Sequence, residues 1–380
     1  MRARMALLGM TFVFFLPDRV GSCSLCTGTL NTLTFRQDLA QTRLVVYGYL
    51  ANPRLSPNGM GTTELHIERV LKHDPILGDR RFIELPHYVP VTDPKNPPRF
   101  LVFCDVRGDG RLDPYRGIPA RSSVLLDYVR GIMKLDPNDR SAALLYFFRF
   151  LDSPDQEVSN DAFLEFAKAS DADVGKVATK LSPERIRRWL QDSQTETRRL
   201  SLYAFLLGAC GGEEDAAVLR SMIEKPTDRT TSCLGGVLAG YMQLRPREGW
   251  ELAQQILGDP NRPFAHRLGA LTALRFFQGW KPEESRRQIV RGLGALLAQG
   301  DMADLAIEDL RRFGYWELTP EVLAQYGKPS HDTPIVRRAI IRYALVCPRP
   351  EAKRFVQQVR QQDAELVKDV EESLEFEKPK

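Results

Sequence analysis

Six times along the C-terminal two-thirds of the chain, a small residue recurs inside an amphipathic helical stretch. The anchors are Ala162, Ser201, Gly235, Gly269, Ala306 and Ala339, separated by 39, 34, 34, 37 and 33 residues. A period in this range belongs to stacked helix pairs. One helix pair cannot bury its apolar face alone, so each unit leans on the next and the array grows as a solenoid. The period predicts a right-handed α-solenoid over residues 122–375, ending in a solvated tail at 376–380.

Ahead of the array the pattern changes. After a short helix around Phe35 to Arg43, apolar and β-branched runs stand at Leu44 to Leu50, Thr63 to Leu71, Arg81 to Leu85, Phe100 to Val106 and Leu112 to Pro119. They are separated by the breaker Asn52-Pro53, a loop over 54–61, a Pro-rich stretch after Leu85 and the turn Arg107 to Arg111. Five short strands in so few residues predict a small OB-like β-barrel over 23–121, with Phe100 to Val106 as its central strand. The fold class is thus α+β multidomain, a small N-terminal barrel followed by a solenoid.

Residues 1–22 have the pattern of a signal peptide. Arg2 and Arg4 precede the apolar Ala6 to Leu16, too short to span a bilayer, and Val20-Gly21-Ser22 offers small residues before Cys23. The expectation is an exported protein, periplasmic, cell-surface or extracellular, with membrane attachment only through a lipid anchor at Cys23. Pro17-Asp18-Arg19 departs from that pattern. Among the six cysteines, Cys210, Cys233 and Cys347 fall in apolar helical stretches and read as packing residues. In an oxidising compartment Cys104 is expected to bridge to Cys26, or else to Cys23. The net charge of +4, from 53 basic and 49 acidic residues, gives no concentrated basic patch and argues against a nucleic-acid partner.

The repeat region resembles HEAT-like α-solenoids in the Asp before a second helix, at Asp155 and Asp332, and in Val336-Arg337-Arg338-Ala339. The N-terminal part resembles a netrin-type module, the OB-like barrel shared with tissue inhibitors of metalloproteinases. The likeness lies in Cys23, Leu44 to Gly48, Leu65 to Leu71 and Phe100 to Phe103. In those inhibitors a Cys-x-Cys opens the chain and chelates the target's zinc. Here the spacing is Cys23-x-x-Cys26, so that function does not transfer. The two-part arrangement also resembles exported bacterial proteins of unknown function with HEAT-like repeats.

No motif asks for a cofactor. In Asp105 to Asp113 (DVRGDGRLD) an EF-hand-like spacing is spoiled by Arg107 and Arg116 at ligand positions, so a hairpin turn is expected. The Arg107-Gly108-Asp109 triplet is also an integrin-type motif, too short to carry an assignment. His331-Asp332 lacks the partners of a metal dyad, and Asp332 reads as a helix cap. The glycines at 208, 211 and 212 read as a helix end. Arginines on second helices, Arg198, Arg199, Arg267, Arg311, Arg337 and Arg338, are candidates for a partner-binding row, against the plainer reading that each pairs with a nearby carboxylate. The functional expectation is a non-enzymatic scaffold that binds an unidentified protein through the solenoid. The alternative is an inhibitor or enzyme acting through the barrel.

Overall fold

The computed structural model describes residues 32–56 and 59–377. The signal-peptide reading, Cys23, Cys26 and the extreme tail lie outside the described residues. A short helix α1 (Phe35–Gln41) opens the fold, capped by Thr34, whose hydroxyl accepts from Gln37 N while the Gln37 side chain accepts from Thr34 N. Five strands come next: β1 (Leu44–Leu55), β2 (Gly61–Lys72), β3 (Phe82–Leu85), β4 (Arg99–Val106) and β5 (Leu112–Pro119).

All strand pairs are antiparallel in the order β3-β2-β1-β4-β5, so β1 is the centre, not β4. The sheet is open, which corrects the expected barrel. Closure requires the two outermost strands to meet at a consistent tilt and stagger, and here β3 and β5 remain separate edges. Both faces are buried by other means. Val45, Leu101, Phe103 and Ile118 join the core under the helices, whereas Leu44, Val46, Leu65, Ile83, Val102 and Cys104 lie with Leu77, Val89 and Val91 of the connecting loops.

Asn52-Pro53 does not end β1. Asn52 takes a left-handed φ of 49° at a register shift between Ala51 and Arg54, and the strand continues to Leu55. A bulge absorbs the residue that breaks the ladder, and Pro has no N–H to lose there. The 107–111 turn behaves as expected: Gly110, at φ 80°, donates its N–H to Arg107 O at 2.8 Å.

The helical array runs through α2 (Val124–Ile132), α3 (Arg140–Phe148), α4 (Gln156–Ala167), α5 (Asp171–Ala178), α6 (Pro183–Gln191), α7 (Thr197–Cys210), α8 (Glu213–Glu224), α9 (Asp228–Thr231), α10 (Leu234–Leu244), α11 (Pro246–Gly258), α12 (Phe264–Trp280), α13 (Pro282–Leu296), α14 (Ala303–Phe313), α15 (Thr319–Leu323), α16 (Pro334–Val346), α17 (Pro350–Gln362) and α18 (Ala364–Glu375). The six anchors fall in α4, α7, α10, α12, α14 and α16. The packing is repeat-like: α7 lies on α10, α10 on α12, α14 on α16 and α16 on α18. Side chains write the same period across the array. Among the described residues, six pairs 34 positions apart are hydrogen-bonded: Arg229 to Thr195 O, Gln254 to Gln288 O, Arg267 to Asp301, Arg275 to Asp309, His331 to Leu297 O and Arg342 to Glu308.

Small residues set how closely the helices approach. A Cβ on Gly236 would overlap the carbonyl oxygen of Ser201, and one on Gly240 that of Ala204. Gly208 does not close α7, as the glycine cluster suggested; it lies inside the helix against the backbone of Gly240, and Gly211 is the C-cap. Asp155 caps α4 as expected, but α16 is capped by Thr333, whose hydroxyl accepts from Val336 N. Asp332 pairs instead with Arg337.

Gly236→Ala is therefore expected to destabilise the protein by about 1–3 kcal/mol through overpacking, despite a helix-propensity gain near 1 kcal/mol. Gly258→Ala, with nothing within 4 Å of the added Cβ, is expected to stabilise it slightly. Urea midpoints of the two variants should move in opposite directions; a shift in the same direction contradicts the close α7–α10 contact.

Candidate functional site

Where the sheet meets the first repeats, three acidic side chains are buried together. Asp161 and Glu165 stand one turn apart on α4, among the apolar Val158, Ala162 and Phe166. Asp38 lies on α1. Each has found donors from another element. Asp161 Oδ1 accepts from Phe35 N at 2.7 Å, and its Oδ2 accepts from the Tyr128 hydroxyl at 2.7 Å. Glu165 receives a forked bond from Arg36, with Nη2 at 2.8 Å. Asp38 accepts from Arg116 and from Tyr115 OH. Arg116 also lies 5.1 Å from the Phe35 ring centroid and donates to Leu33 O.

Burial dominates the electrostatics here. Asp161 is only 4% exposed, and desolvation pushes its pKa up to about 7, against the lowering effect of the Phe35 N–H bond. Nearby Glu165 raises it further, whereas the Tyr128 bond and the Arg116 charge lower it. Tyr128 is itself pushed well above the ordinary phenol range, first by burial and then by the Asp161 charge. Both Asp161 oxygens already hold a donor, so the pair is built to fasten α1 and α2 onto α4 and to hold a proton near neutral pH.

Three open cavities flank this junction and the sheet. One of about 250 Å³ is lined by Thr32, Arg116, Asn160, Asp161 and Arg198, and one of about 460 Å³ by Arg36, Arg140, Glu165, Lys168 and Asp173. The third, about 480 Å³, lies between the sheet and the start of α2, lined by Tyr47, Glu68, Arg69, Arg99 and Asp127.

The predicted arginine row divides in two. Arg199 and Arg267 are buried and do not present a partner-binding surface, which revises their assignment. Arg199 Nη1 donates to Leu151 O and Ser159 Oγ, both at 2.9 Å; Arg267 donates to Arg262 O, Gln299 and Asp301. Both were misread because their long stems run along apolar surface while their heads satisfy buried carbonyls. Arg311 is also mostly covered and pairs with Glu308 and Glu377. Arg198, Arg337 and Arg338 remain half-exposed but pair with Glu196, Asp332 and Asp369. The plainer reading of these residues, charge pairing within and between repeats, is what the geometry displays.

In the hairpin, Asp113 is held by Arg107 and Asp109 by Arg111. His331 is buried, bonded to Ser330 and Leu297 O. Cys104 is a fully buried free thiol in the sheet core, its pKa pushed up to about 12 by burial. Its expected partners, Cys26 and Cys23, lie outside the described residues. Sequence reasoning passed over Asp161 and Glu165, although two carboxylates one turn apart inside an otherwise apolar anchor helix are a legible sign of a buried polar contact.

No family model matches the chain, and no curated protein does. Among solved structures, the chain is similar to human deoxyhypusine hydroxylase in complex with glycerol, at 16% identity and a TM-score of 0.27, over 65% of this chain and 85% of that one. The expectation that the chain is not an enzyme is withdrawn: the similar structure is that of a hydroxylase. So loose a likeness assigns no activity here.

The junction can be tested by titration and by labelling. The ordinary aspartate value is 3.8, and folded Asp161 lies near 7. Between these values the folded chain binds more proton than the unfolded one. The stability contributed by neutral Asp161 is therefore full at low pH and is lost as pH rises toward 7. Asp161→Asn fixes the neutral form. Its stability relative to the parent should rise by roughly 1–3 kcal/mol between about pH 5 and about pH 8, read as the difference in urea midpoints; a difference independent of pH contradicts the assignment. For Cys104, iodoacetamide is expected to label the thiol only after denaturation, with no reductant required. Labelling that needs a reductant would show a bridge to Cys26 or Cys23 instead.

Proposed function

We propose that this chain is an exported scaffold that binds another protein, its helical array a HEAT-like solenoid that holds the contact surface. One observation carries the reading: a single hydrophobic core runs from the inner sheet face, at Val45 and Phe103, through every repeat to Val370 of α18. A core without a break holds sheet and helices as one surface, and fixed surfaces favour association because little order is lost on binding. The charge pairing supports it too. With Arg199, Arg267 and Arg311 bound internally, the exposed face offers mixed and largely neutralised charge, as befits a protein partner rather than a polyanion.

The test is photo-cross-linking in the native cell, with a photoreactive residue placed singly along the exposed faces of the full-length protein. The reading predicts a discrete protein adduct, confined to a contiguous set of positions and recovered outside the cytoplasm. No adduct from any position contradicts it.

A further inference from the structure

The strand β3 forms one edge of the sheet, and its free side has an unusual symmetry. Ile67 N donates to Arg81 O at 2.8 Å, so Arg81, Ile83 and Leu85 turn their backbone groups toward β2. By the alternation of an antiparallel ladder, Phe82 and Glu84 turn theirs outward. Among the described residues, those outward N–H and C=O groups make no hydrogen bond. An unpaired edge of this kind is a template for another strand.

The side chains on the same edge select which strand. Phe82 lies opposite His66 and ends a row of stacked rings, Tyr49 to His66 at 5.3 Å and His66 to Phe82 at 5.4 Å between centroids. Phe82 is 46% exposed. Glu84 lies opposite Glu64, a like-charge cross-strand pair, and such pairs are destabilising. Glu64 is already engaged by Asn52, His66 and Arg54, whereas Glu84 has no cation of its own among the described residues. Two positions before Phe82, Arg80 is exposed and forms no ion pair among the described residues; its side chain donates to Ile76 O and its backbone N–H to Leu77 O.

We infer that β3 pairs antiparallel with β3 of a second copy of this chain, in the register that sets Phe82 against Phe82. In that register Arg80 of each copy falls opposite Glu84 of the other. The outward groups of the two Phe82 residues bond each other, and each Glu84 N–H meets an Arg80 carbonyl of the other copy, while Arg80 N–H stays on Leu77 O. The two ring rows join across the two-fold axis. Each Glu84 gains the counter-charge that its own sheet does not supply. The pairing centred on Glu84 would set Glu84 against Glu84 and is disfavoured by that repulsion. The contact is isologous, as a two-fold dimer requires, and it does not depend on the protein-binding reading above.

Sedimentation velocity of the full-length protein, from about 5 to about 200 µM, tests it; dimers held by one short edge fall in the micromolar range or weaker. A reversible monomer–dimer equilibrium is expected. Arg80→Glu and Glu84→Arg should each weaken it at least tenfold, and the double reversal should restore it. These side chains are exposed, so the fold is expected to survive, with circular dichroism as the check. Amide exchange gives a second measure: protection of Phe82 and Glu84 should rise with protein concentration, while that of Ile83 stays constant. A parent protein monomeric at 200 µM overturns the inference. So does a dimer indifferent to the single reversals, or one whose Phe82 and Glu84 amides exchange equally at all concentrations.

Discussion

A buried carboxylate must find donors or lose its charge, and Asp161 fixes how α1 and α2 meet α4. Its two oxygens reach Phe35 N at the start of α1 and the Tyr128 hydroxyl on α2. Three segments far apart in sequence are thereby held at one point. An unpaired carboxyl here would cost several kcal/mol, so the arrangement forbids small slippage. Around it, Phe35 and Phe103 lie 6.2 Å apart, and Phe35 meets Tyr128 edge-on at 6.1 Å. Arg36 on Glu165 and Arg116 on Asp38 fasten α1 from either side. The polar bonds set the register of the junction, and the aromatic and aliphatic contacts supply most of its free energy.

From α4 onward, the constraint passes from the junction to the period. The helices α7 and α10, which meet through Gly208, Gly236 and Gly240, approach almost backbone to backbone. The bonds that join residues 34 apart are the polar counterpart of the same stacking. The array is not a plain ladder, however. The helix α12 also reaches α5, where Trp280 covers Gly175 and leaves no room for a side chain there. Phe205, Phe276 and Trp280 fill the space between these layers, with Phe205 and Phe276 only 4.2 Å apart.

Much of this was legible from residue order. Apolar, β-branched and alternating runs located all five strands, although β1 continues past Leu50 to Leu55, and the six anchors fell in six different helices, because side-chain period is a local property. Sheet closure was not legible, since it depends on whether two edge strands meet, and no single strand encodes that. The bulge at Asn52 was hidden for a similar reason: Asn-Pro ends a strand unless the partner strand accommodates the extra residue. Burial of Arg199 and Arg267 was hidden because their charge suggests solvent, whereas their partners are backbone carbonyls and side chains on neighbouring repeats. The choice between Asp332 and Thr333 as cap turned on one residue of phase.

For function, the consequence is that the sheet is not an appendage. It belongs to the same cohesive unit as the first repeats, and a surface on either one is held by both. Native-state hydrogen exchange tests this most directly. If the junction joins the two parts, the slowest amides of β1 and β4 and those of α2 and α4 should exchange through a common opening, with the same free energy and the same denaturant dependence. Exchange of β1 and β4 through a separate opening of lower energy, with α2 and α4 still protected, would contradict it.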